Sequence, residues 1–238
     1  MKIKNYLLSL AFTFSLSFLI APFVSALEPF EVTYNIYKGP LKVGSIIRDL
    51  KIDVNGGYIF TSRMESSGFA KLLSGSLLLE TSKGEITKEK ITPHTYRRET
   101  DKPSKSYELV FDRKNNSVKR IDKEKGYEEI LKTDTFDKLS YQAQMMIELS
   151  TISEEDLKYD IASQKRIVTY NITPIKEKKL STPMGKFKTL AVNRKDPNSS
   201  KETTVYCAEE LEWLPVRIEH IDKKGRSMTA KIESYSSA

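Results

Sequence analysis

Few side chains in this 238-residue sequence could do covalent or metal chemistry. His94 and His220 stand in strand-like stretches, outside any HExxH, HxH or Cys/His spacing that would hold zinc. Cys207 has no histidine in a motif relation to it, which favours a buried structural thiol over a nucleophile. The sequence also has no GxSxG motif and no phosphate-binding loop. These patterns predict no catalytic residue, no metal site and no cofactor.

Apolar residues point instead toward binding. Residues 69 to 79 form the least polar stretch after the amino-terminal segment, and 68 to 73 could form a short helix. If this stretch lies exposed on the surface, it would contact a lipid or a partner. A buried turn followed by a core strand would give the same sequence pattern and is the alternative. The candidate binding residues in this stretch are Phe69, Leu72, Leu73, Leu77 and Leu79.

Tyrosines next to basic residues form a second candidate set. Tyr96 is followed by two arginines, and we include Tyr96 and Arg98 among the candidates. Tyrosine and arginine together suit sugar rings, acidic headgroups and protein surfaces. They equally suit ordinary cross-strand packing.

The amino-terminal segment has the order of a secretory signal peptide. Two lysines precede an uncharged apolar run, which ends in the small residues Val24, Ser25 and Ala26. The run approaches but does not reach the roughly 20 residues of a spanning helix, so an uncleaved anchor is the alternative. No cysteine lies near Ala26 to accept a lipid. We therefore predict cleavage after residue 26, a periplasmic location and no lipoprotein anchor or membrane-spanning segment in the mature chain.

The charge pattern argues against a nucleic-acid partner. Removal of residues 1 to 26 takes away two lysines and no acid, so the net charge falls from +7 to +5. Lysines and arginines alternate with acids along the chain and form no basic block. A weak attraction to anionic membrane surfaces is compatible with this balance.

The sequence pattern after residue 26 predicts mostly β-strands. Residues 30 to 37 alternate apolar and polar side chains, which is typical of a half-buried strand. The Asn and Gly pairs between such stretches favour hairpin turns, and so antiparallel neighbours. Further strands are predicted near 42–53, 58–66, 76–83, 88–98, 105–112, 117–122, 165–173, 175–181, 186–194, 202–208, 214–221 and 227–235.

One stretch has helical spacing instead. Residues 137 to 149 place apolar side chains along a broad arc, with Thr135 or Asp137 available to cap the start. A methionine-rich face of this kind usually fills a core. The helix also adds Tyr141, Met145 and Met146 to the candidate binding residues.

About a dozen antiparallel strands are too many for a flat sheet. The sequence predicts a mainly β fold, a strongly curved antiparallel sheet or incomplete barrel with the helix packed in its concave side and a hollow facing outward. We expect residues 27 to 238 to form a single domain. A two-lobed arrangement divided near 150–156 is the alternative.

Several short blocks, in this order, resemble the domain of unknown function 3108 family of exported bacterial proteins. They span about residues 30 to 235. The resemblance implies a periplasmic, β-rich protein without assigned activity and carries over no catalytic residue, and the expected architecture is similar to lipoprotein-carrier half-barrels. The blocks are Gly68-Phe69-Ala70, Pro93 with Tyr96, Phe111-Asp112, Asp137 with Leu139-Ser140, Thr182 to Phe187, and Trp213 to Val216.

Three hypotheses about function follow. The leading one is a non-catalytic binding or envelope-maintenance module for a lipid or lipidated partner. The second is an envelope-glycan-associated or structural protein that uses Tyr96 and Arg98. The third is an enzyme acting on envelope polymers, which would need carboxylates, or a histidine and a carboxylate, converging in a cleft.

Overall fold

A computed structural model describes residues 27–67, 77–121, 126–132, 134–151, 156–195 and 200–237. Fifteen strands of this part form one sheet, with one α-helix, α1 (Ser140–Leu149). The strands are β1 (Phe30–Lys38), β2 (Leu41–Ile52), β3 (Gly57–Ser66), β4 (Leu77–Ile86), β5 (Ile91–Thr100), β6 (Tyr107–Asp112), β7 (Ser117–Ile121), β8 (Tyr127–Ile130), β9 (Thr135–Phe136), β10 (Leu157–Ala162), β11 (Ile167–Thr182), β12 (Gly185–Lys195), β13 (Glu202–Ala208), β14 (Leu214–Ile221) and β15 (Ser227–Ser237).

The sheet is a meander whose two chain ends meet in its middle. β1 pairs with β2 on one side and with β15 on the other, so the spatial order is β8-β7-β6-β5-β4-β3-β2-β1-β15-β14-β13-β12-β11-β10-β9. All pairings are antiparallel except that of the two-residue β9 with β10. The expected mainly β, strongly curved and incomplete barrel is confirmed, with one parallel pair added.

Side chains bridge the two ends of the curled sheet where no strand ladder joins them. The amide of Ile167 on β11 donates to a carboxylate oxygen of Glu129 on β8, at 2.8 Å. The hydroxyl of Tyr127 donates to the carbonyl of Ser163 at 2.6 Å. These bonds hold the ends close together without closing the barrel.

Helix α1 fills much of the concave side. Met145, Met146 and Leu149 are at most 3% exposed, and they join a core cluster that draws residues from both halves of the sheet. Gln144 fixes the helix against β5, because its side-chain oxygen accepts the Ile91 amide at 2.9 Å while its NH₂ group donates to the Glu89 carbonyl at 3.1 Å. The expected helix is confirmed in its predicted place.

Of the two capping residues that the sequence allows, Thr135 and Asp137, it is Asp137 that accepts amides at the start of α1, although the last residue before the helix is Leu139. The Oδ1 of Asp137 accepts the amides of Leu139 and Ser140 at 2.8 and 3.0 Å, and the Ser140 hydroxyl accepts the Asp137 amide. None of the helices in the described ranges has both the length and the apolarity for a membrane crossing.

The strand predictions differ from the structure at the sheet's far end. β8, β9 and β10 were not expected, and the two strands predicted at 165–173 and 175–181 are one, β11. Pro174 does not break β11, because the ladder with β10 ends at Ile172 and a register shift against β12 between Pro174 and Lys176 absorbs the proline. The short helix expected at 68 to 73 lies outside the described residues.

Candidate functional site

A recess lined by β3, β4 and β5 lies at one rim of the concave side, and we call it the mouth cleft. Its volume is about 120 Å³. Met64 on β3 pairs directly with Leu78 on β4, and Leu78 pairs with Thr100 on β5, so three neighbouring strands present these side chains on one face. The cleft is lined by Met64, Ser66, Leu77, Leu78, Arg98, Thr100, Asp101, Lys102 and Lys105.

The cleft is amphipathic. Its apolar wall comes from β3 and β4, whereas its basic groups come from β5 and from the 3₁₀ turn Pro103–Lys105. The Asp101 carboxylate accepts the Leu77 amide at 3.2 Å and ties the two walls together. Hydrocarbon and a negative charge can therefore be bound side by side here.

Glu80 organises the polar floor beside the cleft. Its Oε1 accepts the Arg98 guanidinium at 2.9 Å and a short hydrogen bond from the Tyr96 hydroxyl. Burial raises the pKa of Tyr96 well above its usual value, and the negative charge of Glu80 adds to that shift. The Arg98–Glu80 pair is largely shielded from solvent, with side chains 21% and 13% exposed.

A second, much smaller space lies beside α1, and we call it the inner cavity. At about 20 Å³ it holds about one water molecule. The Arg194 guanidinium lies 4.1 Å from the centre of the Tyr170 ring, and that ring packs edge-on against Tyr141 at 5.5 Å. Among the described residues, α1 and aromatic side chains such as Tyr141 and Tyr170 occupy much of the concave side, where the sequence predicts a hollow. The cavity is lined by Tyr141, Gln142, Met145, Ile172, Val192, Arg194, Thr203 and Val205.

Basic residues lie on several elements of this half of the molecule. Arg194 on β12 lines the inner cavity, Lys138 lies just before α1, and Arg48 on β2 pairs with Ser62 of β3. Burial lowers the pKa of Lys138, and the negative charge of Glu80 opposes that shift. The positive charges of Arg98, Arg194 and Lys201 lower the pKa further. Arg48 lies over the Tyr34 ring at 5.5 Å.

A buried hydrogen-bond network lies beneath the helix start. Ser82 donates its hydroxyl to Asp137 Oδ2 at 2.6 Å, which leaves the Tyr58 hydroxyl to donate to Ser82 at 2.8 Å. Burial raises the pKa of Asp137. The hydrogen bonds from Ser82 and from the amides of Leu139 and Ser140 oppose this shift without cancelling it. This network joins β3, β4 and α1, and its role is to position the helix.

The structure brings some of the predicted binding residues together. Tyr96 and Arg98 share Glu80, and Leu77 and Arg98 line the mouth cleft. Tyr141 and Met145 line the inner cavity, and Met146 lies in the core. Leu79 pairs with Arg63 and Glu99, on the strand face opposite to Leu78 and Glu80. Phe69, Leu72 and Leu73 lie outside the described residues.

Other residues of the site were not expected. Met64 and Leu78 could have been found from strand alternation, since they share a face with Glu80 across β3 and β4. Arg194, which lines the inner cavity, had no such signal, because an isolated basic residue on a strand is ordinarily solvated.

The groups first considered for catalysis are dispersed. His94 is 3.9 Å from Glu85 at the surface, and His220 Nδ1 is 2.9 Å from the Thr203 hydroxyl. Burial lowers the pKa of His220, and nearby Arg194 and Lys201 add to the shift. Within the described ranges, no three His, Cys, Asp or Glu side chains are grouped to hold a metal ion.

The Cys207 thiol is fully buried, and burial raises its pKa. We expect it to react with a disulfide reagent such as DTNB at least about 100-fold more slowly in the native protein than in denaturant, because exposing a core strand requires an opening free energy of several kcal/mol. Absorbance of the released thiolate measures both rates. Comparable rates would contradict the burial of this strand.

The curled sheet with α1 in its concave side defines a mainly β protein of the incomplete-barrel class. The chain matches the family described as protein of unknown function, DUF3108, over residues 30–232, and it belongs to that family. None of the curated proteins matches it.

Solved structures give a likeness of fold. A beta-barrel-like protein of the domain of unknown function DUF1849 from Brucella abortus is 11% identical and superposes with a TM-score of 0.57, over 90% of this chain and 100% of that one. A Bacteroides fragilis protein, described as a putative exported protein with a YmcC-like fold, is 10% identical and has a TM-score of 0.39, over 91% of this chain and 100% of that one. A Vibrio parahaemolyticus domain, described as a putative outer membrane lipoprotein-sorting protein domain, is 13% identical and has a TM-score of 0.26, over 89% of this chain and 86% of that one. The Brucella protein shares the fold, at an identity too low to transfer a function.

Proposed function

We propose that this chain is an exported, non-catalytic binding protein of the bacterial envelope that holds part of an acyl chain, from a lipid or a lipidated partner, in the mouth cleft. The observation that carries the proposal is the apolar wall of Met64, Leu77 and Leu78 beside basic groups in one recess. The signal-like sequence of residues 1 to 26 supports the export part of the proposal.

The size of the cleft limits what it holds. A cavity of about 150 Å³ lined by apolar side chains accepts a benzene molecule, so a cleft of about 120 Å³ holds a comparable piece of hydrocarbon. Burying four methylene groups contributes about 3 kcal/mol, which alone corresponds to millimolar affinity or weaker. The cleft therefore binds one end of an acyl chain, and tighter binding needs polar contacts in addition.

The glycan alternative has less support from the same residues. The Tyr96 ring is fully buried and its hydroxyl is bound to Glu80, so the ring has no face free to stack on a sugar. Arg98 is likewise paired with Glu80.

We expect Leu77→Asn to weaken binding of sodium dodecanoate about fivefold, because the substitution removes about 1 kcal/mol of apolar contact from the cleft wall. Leu77 is 38% exposed, so the fold should tolerate the change. Isothermal titration calorimetry below the micelle concentration measures the dissociation constant.

Val54→Asn is the matched control, since Val54 is 87% exposed in the turn between β2 and β3 and does not line the cleft. It should bind dodecanoate like the wild type. No saturable binding to the wild type, or an equal loss in both variants, would contradict the proposal.

A further inference from the structure

The hairpin formed by β11 and β12 extends beyond its neighbouring strands. β11 pairs with β10 only as far as Ile172, whereas its pairing with β12 continues to the turn between Thr182 and Gly185. On the other edge, β12 pairs with β13 only from Thr189 onward. Within the described ranges, no further strand covers either outer edge near the turn. We call residues 174 to 188 the hairpin arm.

The hairpin arm is strongly basic. It has five lysines and one glutamate, a net charge of +4, which is close to the +5 expected for the whole chain after removal of residues 1 to 26. The turn separates the lysines into two groups in the sequence, and the ladder brings these groups side by side. The lysines are Lys176, Lys178, Lys179, Lys186 and Lys188. Such a concentration of positive charge on a narrow extension attracts anions.

One face of the hairpin arm packs against the rest of the sheet. Leu180 is 6% exposed and shares a small apolar cluster with Ala191 and Tyr206. On the same face, the Lys178 ammonium lies over the Tyr206 ring at 5.6 Å. Because side chains alternate along a strand, the opposite face of the arm remains open.

The open face carries three lysines. Lys179 is directly opposite Lys188 in the ladder, and Lys186 follows two positions farther along the same face. Lys188 is partly neutralised by Glu177 at 2.9 Å and by Glu209 at 3.7 Å. Like charges that are directly opposite destabilise a strand pair, and an anionic surface against this face would relieve the repulsion.

The turn adds an apolar end to the arm. Pro183 and Met184 are exposed there, Met184 to 36%. A flexible apolar side chain of this kind can enter the boundary between headgroups and acyl chains of a bilayer. It contributes nothing to the binding of a purely ionic partner, so the combination of lysines and Met184 favours a membrane surface.

We propose that the hairpin arm docks on a bilayer surface that contains anionic phospholipid. The ammonium groups of the open face lie among the headgroups, and Met184 lies at the acyl boundary. Lysine suits this role, because its ammonium is a compact, hydrated charge on a flexible stem and needs no fixed geometry. The docking surface shares no residue with the mouth cleft, and the proposal does not rest on acyl binding there.

Vesicle sedimentation at about 0.1 M salt tests the charge contribution. The protein should bind vesicles made of equal parts of phosphatidylglycerol and phosphatidylcholine, and bind vesicles of phosphatidylcholine alone far more weakly. Each lysine near an anionic surface strengthens binding about fivefold. The variant Lys179→Gln/Lys186→Gln/Lys188→Gln should therefore bind the anionic vesicles about 100-fold more weakly.

The control variant Lys51→Gln/Lys90→Gln/Lys119→Gln removes the same charge elsewhere. These three side chains are 74%, 48% and 51% exposed, and each is paired with an acid. The control should bind anionic vesicles within about threefold of the wild type, since charges more than about 10 Å from the membrane are screened at this salt concentration. Equal losses in the two triple variants, or equal binding of the wild type to both kinds of vesicle, would overturn the proposal.

Tryptophan fluorescence distinguishes a bilayer from a soluble polyanion. In Met184→Trp the new indole should emit at shorter wavelength when anionic vesicles are added, because it enters a less polar environment at the membrane interface. Polyglutamate at the same charge concentration should give no such shift, and the wild type, whose one tryptophan is Trp213, supplies the background. An equal shift with polyglutamate, or no shift with vesicles, would overturn docking on a bilayer.

Discussion

Replacing Asp137 with alanine is expected to lower the free energy of unfolding by about 3–4 kcal/mol, because it removes a helix cap and leaves buried donors without an acceptor. The carboxylate is fully buried and accepts three hydrogen bonds, from Ser82, Leu139 and Ser140. Denaturation in urea, followed by circular dichroism, measures the loss. A loss below about 1 kcal/mol would mean that water replaces these bonds and that the network does not fix the helix.

Asp137→Asn separates charge from hydrogen bonding. Asparagine keeps an acceptor for the two helix amides and can donate to Ser82, as a protonated aspartate would. Because burial raises the pKa of Asp137 in the folded protein, the folded state binds more protons than the unfolded state just above the unfolded pKa. Wild-type stability should therefore fall relative to the asparagine variant as the pH rises from about 4 toward the raised pKa.

Urea denaturation of both proteins between pH 4 and 8 tests whether the stability of the wild type falls relative to that of Asp137→Asn as the pH rises. Groups other than Asp137 titrate alike in the two proteins, so the difference between their unfolding free energies isolates this one carboxyl. A difference that stays constant, or that favours the wild type increasingly as the pH rises, would contradict the raised pKa.

Gly84→Ala is the second substitution with a large expected effect. A Cβ at this position would lie 2.0 Å from the Thr92 carbonyl oxygen and 2.8 Å from Pro93 Cα, both in the backbone of β5. Gly84 also lies at a register shift between β4 and β5, where the strands approach closely. We expect a loss of about 3 kcal/mol, at the upper end for overpacking, because backbone atoms cannot move aside as a side chain does.

Glu85→Ala provides the control for Gly84→Ala. Glu85 is the next residue on β4, and its side chain is 68% exposed, so its removal should change stability by less than about 0.5 kcal/mol. Chemical denaturation of both variants makes the comparison. If the two variants prove equally stable, then β4 and β5 do not pack as closely as the structure shows.

Strand alternation is sufficient to predict the central strands but not the sheet's ends. β1 buries Phe30, Val32 and Tyr34 on one face, and its partners on both sides reinforce that alternation. The four-residue β8 and the two-residue β9 lie at the edges, where each has one neighbour. β8 has no buried residue, and β9 is buried but too short to show an alternation.

The helix was predictable because its partner surface is large. Ala143, Met146 and Ile147 are buried against the sheet, and the helical spacing reflects that burial. How fully α1 would occupy the concave side was not predictable, since that depends on the curvature of the sheet and on aromatic contacts such as Tyr141 with Tyr170.

The candidate site could be predicted only in part. Leu77 and Arg98 both line the mouth cleft, and different sequence features predict them: Leu77 belongs to an apolar stretch, and Arg98 is a basic neighbour of Tyr96. Arg194, which lines the inner cavity, gave no signal, because an isolated basic residue on a strand is ordinarily solvated.

Native mass spectrometry of the protein, expressed with its own amino-terminal segment and purified gently from the cell envelope, most directly tests whether the mouth binds an acyl chain. The account predicts a population heavier than the polypeptide by the mass of an acyl-containing anion, released on activation and reduced in Leu77→Asn but not in Val54→Asn. A spectrum that contains the bare polypeptide alone, from the wild type and both variants, would contradict it.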